Sequence, residues 1–267
     1  MLCVLIGFLG LPYVQGTQTP KKNSPSLQAT NATAHAGISK EELRREARFN
    51  EILKGARQAL RKKDFVKAIR LAQSAIDFAP QIQDQYQRNR ATDDALDCLG
   101  KSYIGLREFK EAESVYQQRL GVERKYEKFD SSIAGNLQML GMIEGVQGRW
   151  ASAESFYLQS SKYLDDCIQH FKKSDDYDPQ DIVANNIRLQ KSELLFYLAV
   201  AYSHEGKFDD ALKSCDEAYH LGKKFHAPPP SLGRIVEGAI GLIESSGQLS
   251  KLDAWRAREK ALRSHIP

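Results

Sequence analysis

Lys63–Pro80 reads KDFVKAIRLAQSAIDFAP, and its spacing decides the fold. Phe65, Ala68, Ile69, Ala72, Ala75, Ile76 and Ala79 recur every three or four residues, which sets them along one stripe of an α-helix. Alanine fills most of the stripe, so a neighbouring helix can approach closely. Asp64 is placed to cap the helix start and Pro80 to stop it.

The same arrangement returns along the chain. REFKEAESVYQQRL from Arg107, GRWASAESFYLQSS from Gly148 and GKFDDALKSCDEAY from Gly206 each carry an aromatic, two further residues and an alanine. The aromatics are Phe65, Phe109, Trp150 and Phe208; the alanines are Ala68, Ala112, Ala153 and Ala211. A weaker copy, GQLSKLDAWRAREK from Gly247, has Leu249 and Leu252 in those slots. Successive aromatic slots lie 44, 41, 58 and 41 residues apart, and self-similarity at such a period signals a stacked array. A second helical pattern precedes each copy: Leu96, Leu99, Gly100 and Tyr103, then Leu137, Leu140, Gly141 and an unexpected Glu144, then Leu195, Leu198, Ala199 and Tyr202. The first copy has a small-residue version, Ile52, Gly55, Ala56 and Ala59.

These paired patterns resemble the tetratricopeptide repeat. Ala68, Ala75 and Pro80 match its second-helix slots, Phe65 its turn aromatic, and Tyr116 and Tyr157 an aromatic slot that Ala72 fills in the first repeat. The period exceeds the family's usual ~34 residues, which is similar to the longer variant in kinesin light chains and many bacterial proteins. The resemblance implies an all-α fold, an α-solenoid of stacked antiparallel helix pairs. Residues 39–267 are expected to form it, with repeats at about 49–82, 93–126, 134–167 and 192–225 and a degenerate, polar capping repeat at about 233–266. Ser39 to Glu42 reads as a capping box opening the first helix.

The N-terminus reads differently. Leu2–Val14 is apolar but too short to span a bilayer as a helix. It suits the core of a secretory signal, with Val14 and Gly16 where a signal peptidase reads. Residues 1–16 are therefore expected to be a signal peptide and the protein to be exported, periplasmic or secreted. No Lys or Arg precedes the run, so a second reading stays open: an uncleaved segment tethers an envelope assembly factor to a membrane. If the segment is not a signal at all, the expected location is cytoplasmic. Residues 17–38, polar and Ser/Thr-rich, are expected to be a disordered linker, with a glycosylation sequon at Asn31.

Composition narrows the function. The 267 residues are 42% hydrophobic and 27% charged with a net charge of +4, ordinary for a folded protein. Acids and bases are interleaved, as in SKEELRREAR, and not gathered into the basic stripe that nucleic acid requires. The four cysteines form no CxxC and no metal spacing, and no GxSxG, phosphate loop, dinucleotide fingerprint or HExxH occurs. Asp175, Asp176 and Asp178 lack the glycine and terminal glutamate of a calcium loop and read as a solvated turn. No cofactor, metal or catalytic residue is expected; an enzyme with an unrecognised site is the remoter alternative.

The resemblance implies that the first helices line a groove for a peptide or partner helix. Helical phase places Leu53, Arg57 and Leu60 there in the first repeat, and Asp97, Lys101 and Ile104 in the second. The third contributes Gln138, Met142 and Gly145, and the fourth Phe196, Val200 and Ser203. The expected lining is mixed and basic near its start, flexible and apolar around Met142, and aromatic at Phe196. A non-enzymatic protein-binding scaffold is the expected function.

Overall fold

The structure is a computed structural model that describes residues 39–126, 131–173 and 181–264. The expected signal, the linker with Asn31, and Asp175, Asp176 and Asp178 lie outside the described residues. Those residues form ten α-helices and two short 3-10 turns, with no strand among them. The helices are α1 (Lys40–Arg61), α2 (Phe65–Phe78), α3 (Gln85–Leu106), α4 (Phe109–Tyr126) and α5 (Ser131–Val146). They continue as α6 (Trp150–Lys172), α7 (Ile182–His204), α8 (Phe208–Lys224), α9 (Pro229–Ser246) and α10 (Leu252–Arg263). None is long and apolar enough to cross a membrane.

The chain divides into two compact units, residues up to Glu108 and residues from Phe109 onward. In the first, α2 packs between α1 and α3, and α1 also meets α3. In the second, each helix from α5 to α10 packs on its sequence neighbour, while α7 touches both α5 and α9. Within each unit first helices thus meet first helices, and α2, α6 and α8 each lie against the first helices on either side. This is the two-layer logic of stacked antiparallel hairpins.

The recurring residues explain why the hairpins form. Phe65, Phe109, Trp150 and Phe208 are each the first residue of a second helix. Ala68, Ala112, Ala153 and Ala211, three residues on, are all 0% exposed. The next slot holds Ala72, Tyr116, Tyr157 and Cys215, again all buried. Two residues before each aromatic the chain turns left-handed, at Lys63, Arg107, Gly148 and Gly206, and again at Gly247. The residue after each donates its N–H five residues back: Asp64 to Ala59, Glu108 to Tyr103, Arg149 to Glu144, Lys207 to Tyr202 and Gln248 to Ile243. This Schellman closure satisfies carbonyls that a helix end otherwise leaves open. A side chain at positive φ costs about 1–2 kcal/mol. Gly148→Ala and Gly206→Ala are each expected to lower unfolding free energy by that amount, since an added Cβ meets nothing nearby and only backbone strain acts. Lys63→Gly and Arg107→Gly are expected to be near neutral, because relieved strain is offset by glycine's greater chain entropy. Urea denaturation of the four variants checks both halves.

Two sequence expectations need correction. Ser39 does cap α1, accepting the Glu42 N–H at 3.1 Å, but the capping box is not reciprocal. The Glu42 carboxylate, 6% exposed, instead accepts the Gln83 N–H at 2.5 Å, fastening α1 to the start of the α3 connection. In the last pair, Leu249 does not occupy an aromatic slot. It lies 60% exposed in a 3-10 turn, and α10 begins only at Leu252. Trp255 does the packing there, edge-on to Tyr219 at 6.0 Å, with the Arg258 guanidinium over both rings.

Glu144, in a slot that is tyrosine in the neighbouring repeats, is explained by Arg149. The guanidinium binds its carboxylate bidentately across the α5–α6 turn, one bond being 2.6 Å, and lies 3.5 Å from Glu113 of α4. The Arg149 hydrogen bonds hold the Glu144 carboxyl below its ordinary range. A depressed carboxyl contributes stability above its unfolded value and loses it as pH falls through its folded one. Arg149→Met is expected to lose about 1 kcal/mol at neutral pH. Its difference from the parent should close as pH falls from about 4.5 downward, measured by thermal unfolding across pH.

Candidate functional site

One slot of the first helices keeps access to solvent in four successive repeats: Arg57 is exposed, and Lys101, Met142 and Val200 are half-buried. The residue before each, Ala56, Gly100, Gly141 and Ala199, is buried. The slot therefore sits at the rim of the hairpin crossing, where a helix turns from its partner toward solvent.

In the first unit the slot is charged but neutralised. Arg57 of α1 reaches across to Asp94 of α3 at 2.7 Å, with both side chains close to half exposed. Lys101 is 2.7 Å from Asp97 on its own helix. The expected basic opening of the surface is thus a row of ion pairs. Burial pushes the Asp94 carboxyl above its ordinary range even though the Arg57 charge pulls it down.

In the second unit the slot is apolar. Met142 and Val200 are half-buried on α5 and α7. On α7, Glu193 lies 3.5 Å from Arg234 of α9, and Tyr197 stacks on Tyr157 at a centroid distance of 6.0 Å. Burial pushes the Tyr197 phenol up to about 12, so it stays neutral where it packs, partly buried, against the core.

Other residues expected to line the groove do not face solvent. Leu53 is 2% exposed and Ile104 3%, both in the core of the first unit. Phe196 is 6% exposed: its ring lies where a Cβ on Gly238 of α9 would be, 2.5 Å from that position. Gly145 is buried under Trp150. The aromatic group reaching the surface near Val200 is Tyr197, which phase counting alone did not single out.

Among the described residues, no group of three or more His, Cys, Asp or Glu side chains could hold a metal ion. Cys98, Cys167 and Cys215 are all buried. Burial pushes the Cys98 thiol up to about 11 and the Cys215 thiol to about 12, so both remain protonated and unreactive.

Known structures share this architecture. BtubC (BKLC) from P. vanneervenii superposes with a TM-score of 0.68 at 17% identity, over 90% of this chain and 87% of that one. A Podosopora anserina kinesin light chain protein with nearly identical TPR-like repeats gives 0.58 at 12%, over 83% and 99%. The fold is a tetratricopeptide-repeat fold. A Rap protein complexed with Competence and Sporulation Factor gives 0.50 at 13%, over 85% of this chain and 65% of that one. At these identities the tetratricopeptide-repeat likeness is one of fold. No family model matches the chain, and no curated protein matches it.

Proposed function

We propose that this tetratricopeptide-repeat chain is a non-enzymatic scaffold that holds a peptide or partner helix against its first helices. One observation carries the reading: the slot of Arg57, Lys101, Met142 and Val200 stays at least partly accessible in four successive repeats, although the residue before each is buried. Within each unit, a slot kept accessible at one repeat position offers a partner two like-placed contacts. Met142 adds a side chain that adapts to varied partners. The Rap protein of the same fold, solved in complex with Competence and Sporulation Factor, supports such a use.

The test is a quadruple variant, Arg57→Ala, Lys101→Ala, Met142→Ala and Val200→Asp, in the full chain. A partner captured by the parent from its native source, identified by mass spectrometry and then purified, should bind the variant at least ten-fold more weakly while helicity by circular dichroism is unchanged. Equal binding sinks the surface assignment. Export belongs to the same proposal: N-terminal sequencing of the natural protein should find a start at Thr17, and an intact Leu2–Val14 overturns cleavage.

A further inference from the structure

We infer that the outward face of α2 is a docking surface for an anionic phospholipid membrane. Lys62 and Lys63 in the turn that leads into α2, and Lys67 and Arg70 on its first two turns, are all exposed. None of the four joins an ion pair among the described residues, whereas Arg57 and Lys101 of the same unit are both paired. Asp64, the one carboxylate among them, is engaged in capping α2, accepting the Lys67 N–H at 3.2 Å. Lys62 and Lys67 converge on one shallow cleft at the α1–α2 turn. The N-terminus of α2 adds its own partial positive charge.

Val66 stands in the middle of these cations and is 71% exposed, more than any other large apolar side chain described. Helical spacing sets Val66, Lys67 and Arg70 on one face. The repeat itself does not require this combination. In the next three repeats the Lys67 slot holds Glu111, Ser152 and Asp210, and the Val66 slot holds Lys110, Ala151 and Asp209. Unpaired cations around a protruding aliphatic side chain suit a fluid anionic interface. The headgroups meet the charges, and the valine enters the acyl boundary. A folded acidic partner would more naturally be met by a shaped apolar pocket, and α2 presents none on this face.

The experiment is co-sedimentation of the full chain with vesicles of phosphatidylcholine alone and of phosphatidylcholine with about one third phosphatidylglycerol. Binding is expected only to the anionic vesicles and should fall as salt is raised. Each cation at such a surface contributes about five-fold, so Lys62→Glu with Lys67→Glu is expected to weaken partitioning about 30-fold or more. Val66→Ser, which keeps every charge, should weaken it several-fold. All three positions are exposed, and circular dichroism confirms that the variants fold. These variants retain Leu2–Val14, so binding that is unchanged by them, or equal on neutral vesicles, assigns attachment to that segment and overturns the proposal. Failure to bind either vesicle overturns it too, as does binding to polyglutamate in place of vesicles. The first-helix variant described above leaves α2 intact, so the two proposals fail separately.

Discussion

Tyr157→Ala is expected to lower the stability of the second unit by about 3–5 kcal/mol, the range for truncating a buried aromatic side chain. Tyr157 is 3% exposed and belongs to the cluster that joins α6 to α5 and α7 through Ala134, Ala153, Leu164, Ile187, Leu194 and Leu198. Its ring lies directly over Gly141 of α5. A Cβ on that glycine would come within 2.6 Å of the ring, so glycine is required by the close approach and not by any turn. Gly141→Ala alone is therefore expected to cost about 1–3 kcal/mol through overpacking. Together, the two changes should cost less than their sum. The void left by the tyrosine accepts the new methyl group, giving a coupling of about 1 kcal/mol or more in a double-mutant cycle. Strict additivity in urea denaturation would mean that Tyr157 and Gly141 do not touch in solution.

The hairpin architecture was readable because a tight helix crossing demands particular residues at fixed offsets. An aromatic at the helix start, an alanine one turn later and a small residue on the facing helix all serve one contact, so they recur together. The left-handed turn was readable only where glycine marks it, at Gly148, Gly206 and Gly247. Lys63 and Arg107 adopt the same conformation without a glycine, and only their in-phase position relative to Phe65 and Phe109 points to it. The reciprocal capping box failed for a different reason. Glu42 is a local partner for Ser39 in sequence, but folding brings the Gln83 N–H to it, and the nonlocal contact won.

The surface was less legible than the fold. Phase counting states which way a side chain leaves its helix; it cannot state what another helix brings to meet it. Phe196 leaves α7 toward the predicted groove and is covered because α9 supplies Gly238. Arg57 and Lys101 point outward as expected, yet Asp94 and Asp97 neutralise them. Glu144 looked anomalous until Arg149, five residues on and across a turn, closed on it. Apart from the Asp97–Lys101 pair, which lies within one helix, each of these outcomes depends on a partner outside the local window. The register of the slot was legible because it rests on the repeat: the residue before it is buried at all four positions.

Leu194→Ala is expected to cost about 2–5 kcal/mol, while Leu158→Ala should change stability by less than about 0.5 kcal/mol. Both are leucines on long helices of the second unit, but Leu194 is 0% exposed and Leu158 43%. Leu194 sits where α7 meets the α6 face formed by Tyr157, Leu164 and Cys167. The loss therefore combines the transfer free energy of the removed atoms with a cavity that two long, constrained helices cannot close. Ser192, next to it but on a different face, donates its hydroxyl to the Ala218 carbonyl at 2.7 Å. That bond and the packing of Phe196 on Gly238 hold α7 to α8 and α9, which limits how far it can relax toward α6. The chain's two tryptophans, Trp150 and Trp255, both lie in the second unit, so fluorescence during denaturation reads this unit directly. A Leu194→Ala midpoint equal to that of Leu158→Ala would mean that α6 and α7 do not share a closed core. The repeat-by-repeat stacking of the second unit would then lose its principal hydrophobic support.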